Sequence, residues 1–316
     1  MSKAHSGRKV PKSVLELPEL ALAKSAVLNT LSSVDSQRTY GQAMDQFITW
    51  YCSEPRLAFS RIIVLRYRIH LERSHYAPAT INLHLAAVRR LAYEATDAGL
   101  LSAGLAAGIR RVKGVRRLGV RSGNWLTAEQ GRAVLDSPSR NNLRGKRDRA
   151  ILALLLGCGL RRAEAVQLSW ENLQSTEDRW VIADFVGKGG HIRTVPVPGW
   201  VKVRIDDWRR AARIRRGRVL RPVSKGGRVC GRSITPKVIW HVVRTAAKRA
   251  GIQEVAPHDL RRTCARLCHL SGGELEQIQF LLGHVSVQTT EKYLGCRQRI
   301  RGAVNDRIGI EPLQSE

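Results

Sequence analysis

The chain has 316 residues, of which 54 are Lys or Arg and 26 are Asp or Glu, giving a formal net charge of +28 and a sequence pI near 11.1. Its length allows two domains, its 43% hydrophobic content suffices for ordinary cores, and its charge favours a polyanionic partner, DNA or RNA being the usual one. The basic start (Lys3, Arg8, Lys9, Lys12) is followed by Glu16, Glu19 and Lys24, not by an apolar signal core. The longest apolar run, AILALLLGCGL at 150–160, falls short of the roughly 20 residues that span a membrane. A secreted or membrane-bound protein is therefore not expected. Six scattered cysteines at 52, 158, 230, 264, 268 and 296 fit reduced thiols in the cytoplasm.

Residues 1–17 are polar and basic and read as a flexible tail. From 18 to 109 the pattern is helical throughout. Ser36 is positioned to cap a helix whose Tyr40, Ala43, Phe47 and Trp50 recur at three and four. A second helix is predicted from Pro78, with Ile81, Leu85, Val88 and Ala92 on one side, ending at Gly99. Asn82, Arg89 and Arg90 lie on polar faces here and are candidate DNA contacts. Residues 110–124 form a basic linker without an acidic residue up to Arg121, in which Arg110, Arg111, Arg116 and Arg117 are further candidates for phosphate contact.

A second domain, 125–316, opens with a capping-box signature at Thr127 and Gln130. Helices are predicted over 143–156 and 161–169. The β-rich runs RWVIADF (179–185) and IRTVPVP (192–198), joined by a glycine-bearing turn, read as a hairpin with Lys188 at its tip. Helices return at about 200–214, 235–250, 259–270, 274–282 and 287–294. The expected class is mainly α with a small β-hairpin or sheet (α+β).

The chemistry-bearing residues collect in this second half. Arg161 stands at a helix start after Gly159, where its guanidinium and the helix amides can hold an anion together, with Glu164 as its brace. A lysine beside phosphate can protonate a departing oxygen, which suits Lys188. His258 and Arg261 are three apart at another helix start, bringing a second arginine beside a potential acid or base. Cys264, Cys268 and His269 follow on the next turn, but they lack the compact paired-cysteine spacing of a zinc site. His284 ends LGH, and Tyr293 comes nine residues later. A phenol is ionised to only about one part in a thousand at neutral pH, and two arginines beside phosphate would offset that by stabilising phenolate and the crowded transition state.

The boxes GLRRAE, GKGGHIRTVPVP, HDLRRT and LLGHVSVQTTEKYL resemble, in order and spacing, those of tyrosine recombinases, the group of phage integrases, Xer recombinases and Cre. The resemblance runs over nearly all of 125–295, and the N-terminal helical part looks like that family's core-binding domain. It implies a catalytic set of Arg161, Lys188, His258, Arg261, His284 and Tyr293 supported by Glu164, and DNA strand exchange through a 3′-phosphotyrosine without metal, ATP or other cofactor. It also implies double-stranded recombination sites as partners, a homotetramer on DNA, and a mobile-element or chromosomal role. Ala163 stands where many relatives have a hydroxyl residue. The segment IRGAVNDRIGI after Tyr293 is expected to dock on a neighbouring subunit. Two rivals remain open at this point. One is a type IB topoisomerase, which shares the intermediate but relaxes supercoils; the other is a DNA-binding regulator that never becomes covalently attached.

Overall fold

The computed structural model describes residues 17–53, 58–116, 124–176, 179–187 and 192–283, with Leu15, Gly190, Thr290 and Leu294. Lys188, His284, Tyr293, Arg117, most of the helix expected at 287–294 and the segment after it lie outside the described residues. The chain divides into two compact units, Met1–Val120 and Arg121–Glu316.

The first unit contains α1 (Leu17–Asn29), α2 (Val34–Cys52), α3 (Arg61–Arg73), α4 (Pro78–Asp97) and α5 (Ala103–Arg110). Leu15 is already fully buried, so the packed unit begins ahead of the boundary expected at residue 18. The cap of α2 is Ser33, one turn before the Ser36 expected from sequence. Ser33 Oγ accepts the Ser36 backbone N–H at 3.1 Å, because the helix gains a further turn over Val34 and Asp35. Helix α4 is the hub, packing on α1, α2, α3 and α5 through Leu85, Val88 and Leu91, all with 0% exposure. An aromatic group of Phe47, Tyr51, Phe59 and Tyr67 fills the remaining core, and the buried Tyr67 hydroxyl meets His84 Nδ1 at 2.8 Å.

The basic stretch after α5 is strapped to this unit. Asn82 donates to the Val115 carbonyl at 3.0 Å and accepts from the Val115 amide at 2.8 Å. Arg68 donates to Lys113 O, and Arg89 to Val112 O.

The second unit contains α6 (Ala128–Asp136), α7 (Leu143–Gly157), α8 (Arg162–Gln167), β1 (Leu173–Thr176), β2 (Arg179–Val186), β3 (Ile192–Val197), α9 (Gly199–Ala212), α10 (Pro236–Arg249), α11 (Pro257–Leu270) and α12 (Leu275–Leu282). Thr127 and Gln130 form the reciprocal capping box read from sequence. Ala150 to Leu155 of α7 are all fully buried, so the apolar run is a core helix wrapped by its neighbours. Among the described residues no helix is long and apolar enough to cross a membrane.

The hairpin belongs to a three-stranded antiparallel sheet of order β1-β2-β3. The short β1 has a single buried residue, Leu173, and carries no alternation that sequence reading detects. Strand β2 is interrupted between Ile182 and Phe185, where Asp184 takes φ +48°. This bulge resets the two-residue phase, so that Ile182 and Phe185, three apart, both enter the core.

Helix α9 crosses α7 at Gly157. A Cβ there would stand 2.3 Å from Val201 Cγ2 and 2.7 Å from Trp200 Cζ2. Alanine would gain about 1 kcal/mol of helix propensity but overpack the crossing at a cost of about 1–3 kcal/mol. Gly157→Ala is accordingly expected to lower the urea unfolding midpoint; an unchanged or higher midpoint would show that α9 can retreat without loss.

Candidate active site

The site is built where α7 stops. Cys158 caps the helix, and Gly159 turns the chain at φ +58°. A Cβ at Gly159 would sit 3.1 Å from Leu282 Cδ2 and 3.5 Å from Cys264 Sγ, so glycine is needed for both the turn and the close approach. Leu160 is then fully buried, and Arg161 emerges as the residue preceding α8.

Glu164, in the first turn of α8, is the organising group. Its Oε2 accepts the Arg161 backbone N–H at 2.7 Å and its Oε1 accepts from Arg161 Nη1 at 2.7 Å. Arg193 of β3 approaches in a fork, Nη1 to Oε1 at 3.1 Å and Nη2 to Oε2 at 2.9 Å. Arg261 Nη1 stands 3.7 Å from Oε2. One carboxylate therefore meets three guanidinium groups, and the cluster retains a net charge near +2, which suits an anionic ligand.

Burial opposes ionisation of Glu164, but the Arg193 fork, the Arg161 amide, the Arg193 charge and the Arg161 side-chain hydrogen bond outweigh it and bring its pKa down to about 2. Arg261 is 1% exposed, and its guanidinium also donates to the carbonyls of Gly159 and Leu282. This ties α11 to the end of α7 and the end of α12. The Arg161 side chain keeps 28% exposure, so it is the more accessible of the two arginines expected to hold phosphate.

His258, the second residue of α11, is exposed while Arg261 is buried. Desolvation by the surrounding chain, then the charges of Arg262 and Arg261, and further Arg161, lower its pKa from the ordinary 6.5 against the pull of Asp259. The imidazole is thus held neutral at physiological pH and suited to accepting a proton.

Arg161, Glu164, Arg261 and His258 are brought together. Lys188, His284 and Tyr293 fall outside the described residues, but several sequence neighbours are placed. Gly283 ends α12 at φ +60°. Leu294 packs with Ala265, Ile278 and Leu282, and its carbonyl accepts from Arg266 at 3.4 Å. Cys264 and Cys268, one turn apart on α11, hydrogen-bond to each other. Asn82 and Arg89 face the chain's own residues 112–115, whereas Arg90, Arg110, Arg111 and Arg116 are exposed. Sequence reading missed Arg193. Its signal is the alternation of β3, where Ile192, Thr194 and Pro196 are exposed and Val195 and Val197 are buried; Arg193 shares the inward register, where an arginine requires a buried acid.

Removing the carboxylate leaves three guanidinium groups without their shared counter-ion. Glu164→Gln is expected to destabilise the fold by on the order of 3 kcal/mol at neutral pH, read as a lower urea midpoint. Because the folded pKa is depressed, this contribution is complete above the ordinary glutamate value of 4.5 and is lost as pH falls toward about 2. The gap between the two proteins should therefore narrow in acid; a gap independent of pH would remove the charge explanation.

The sequence profile described as the phage integrase family matches residues 124–298. The tyrosine recombinase XerC of Roseiflexus sp. strain RS-1 is 24% identical over 306 residues, covering 95% of this chain and 91% of its own length. The tyrosine recombinase XerD of Pseudomonas putida KT2440 is 34% identical over 167 residues, 51% of this chain and 53% of that protein. Among solved structures, a lambda integrase (75–356) dimer bound to a COC′ core site has a TM-score of 0.69 at 15% identity, covering 90% of this chain and 97% of the other. The XerH recombinase in a post-cleavage complex with palindromic difH substrate has a TM-score of 0.66 at 19% identity, covering 87% and 80%. The profile match spans more than half of the chain, and the protein belongs to the phage integrase family, the tyrosine recombinases that cut and rejoin DNA strands.

Proposed function

We propose that this chain is a site-specific recombinase in which Tyr293 attacks the scissile phosphorus, forming a 3′-phosphotyrosine and releasing a 5′-hydroxyl. Arg161 and Arg261 hold the non-bridging oxygens, Lys188 protonates the departing 5′-oxygen, His258 accepts the phenol proton, and His284 donates a hydrogen bond to the phosphate. The partner strand's 5′-hydroxyl then attacks phosphorus and the bond to tyrosine breaks. The phosphodiester energy is conserved in the covalent link, so no ATP enters the balance, and the guanidinium groups supply the charge that stabilises the transition state.

The observation that carries this reading is the arrangement around Glu164: two arginines 100 residues apart in sequence converge on one carboxylate with an exposed, neutral histidine alongside. The net charge of +28 supports a duplex partner. We place its action in the cytoplasm on double-stranded recombination sites, as a homotetramer, serving an integrative or other mobile element. Arg90, Arg110, Arg111 and Arg116 are offered as phosphate contacts. Asn82 and Arg89 hold the basic 112–116 stretch in place for the same purpose.

The test is a suicide substrate, a nicked duplex from the flanking DNA, incubated with the protein in the presence of chelator and resolved on a denaturing gel. A covalent adduct present in the native chain and absent in Tyr293→Phe is the expected result. DNA binding without any adduct would favour a regulator, and relaxed plasmid without recombinant product would favour a topoisomerase. Single-turnover cleavage should also hold its rate from neutral pH down past the ordinary histidine value of 6.5 and fall only below it, as His258 takes up a proton. A rate already declining above that value would assign the titration to another group.

A further inference from the structure

We infer that Arg193 is a positioning residue that saturates Glu164 and so keeps Arg161 available to the phosphate. This rests on the reading of Arg161 and Arg261 as the phosphate clamp. Arg193 itself has a side chain only 9% exposed, which leaves it little surface to offer DNA.

The inference follows from how the donors are shared. A carboxylate and a guanidinium prefer the fork of two parallel hydrogen bonds. Arg161 does not have it: its side chain reaches Glu164 through Nη1 alone. The fork on Glu164 belongs to Arg193. With both oxygens engaged, Arg161 is held by one nitrogen and by its own backbone amide, and its other donors are left for a ligand. Without Arg193, the buried carboxylate would draw the Arg161 guanidinium into the fork, or close the 3.7 Å gap to Arg261. The clamp would then bind its own brace.

The position of Arg193 is itself fixed from three sides. Its guanidinium lies 5.7 Å from the centre of the Phe185 ring. Its Cδ stands 2.8 Å from where a Cβ of Gly283 would be, so α12 ends on its aliphatic stem. Its Nε has no hydrogen-bond partner among the described residues, and its two terminal nitrogens grip Glu164. The bulge at Asp184 sets Phe185 on the inward face, which provides the ring against which Arg193 lies.

The experiment compares Arg193→Ala, Arg193→Lys and the double variant Glu164→Gln/Arg193→Ala. Three readouts are taken: single-turnover cleavage of the suicide substrate, DNA affinity, and calorimetric binding of inorganic orthovanadate as a phosphate probe. Arg193→Ala should cleave about 100-fold more slowly, the scale of a small misplacement of a reacting group, with DNA affinity unchanged. Lysine keeps the charge but cannot form the fork, so Arg193→Lys should match the native unfolding temperature and still cleave slowly. The double variant should cleave faster than Arg193→Ala, because a neutral amide holds Arg161 by one bond without drawing in a second.

Full activity in Arg193→Lys, or a double variant that cleaves no faster than Arg193→Ala at a temperature where circular dichroism shows both to be folded, would reduce Arg193 to a structural residue and overturn the proposal. Vanadate separates this proposal from the reaction assignment. Weaker vanadate binding in Arg193→Ala that recovers in the double variant, in a native chain that forms no adduct, would support the positioning role and sink the reaction assignment. An adduct in the native chain with Arg193→Ala at full rate would do the reverse. No adduct and no change in vanadate binding would overturn both.

Discussion

The second unit depends on one buried carboxylate. Glu164 is 5% exposed at its side chain, where an ion alone would be expelled or protonated. It stays ionised because β3, the start of α8 and α11 each bring a guanidinium to it. The dependence is mutual: Arg261, almost wholly buried, is stabilised by that carboxylate and held directly by the carbonyls of Gly159 and Leu282. The result is a preorganised cationic surface whose orientation costs nothing further when an anion arrives.

Several constraints elsewhere exist to deliver those groups. The fully buried 150–155 stretch of α7 fixes the position at which the chain must turn, and Gly159 makes that turn where a side chain would strike Leu282 and Cys264. The Asp184 bulge places Phe185 beside Arg193. Gly283, packed on the stem of Arg193, ends α12 directly before His284 in sequence. Above the apolar core that joins α7, α8, the sheet and α11, these elements also meet through arginine side chains, which lets the floor of the candidate site be charged and still well packed.

Much of this was legible in the sequence, for identifiable reasons. Amphipathic helices announce themselves by spacing, as α4 did with Ile81, Leu85, Val88 and Ala92, and the capping box at Thr127 is a local code. The hairpin strands were readable from their β-branched runs. What escaped reading depends on tertiary partners. Strand β1 shows one buried residue, too few for a period. The Asp184 bulge is invisible because it breaks the alternation by which strands are recognised. The cap fell on Ser33 and not Ser36, since two serines three apart offer the same side chain. Asn82 and Arg89 looked like surface groups until residues 112–115 folded over them. Arg193 was hidden inside a box already assigned to Lys188, although its place in register with Val195 and Val197 was a usable signal.

The arginines of this chain divide into two populations with different physics. The exposed ones, such as Arg110, Arg111 and Arg116, carry charges that salt screens strongly. Arg193 and Arg261, buried and held by fixed dipoles, are screened far less. With the proposed phosphate clamp, affinity for the duplex and catalysis on it are therefore separable. Salt that strips the chain from DNA leaves the clamp intact, and a substitution that disables the clamp leaves the basic surface able to bind. On that reading a protein with so large a charge binds duplex at many places yet reacts only where a phosphate enters the site, and because phosphate contacts carry no sequence information the choice of target falls to base contacts and DNA shape.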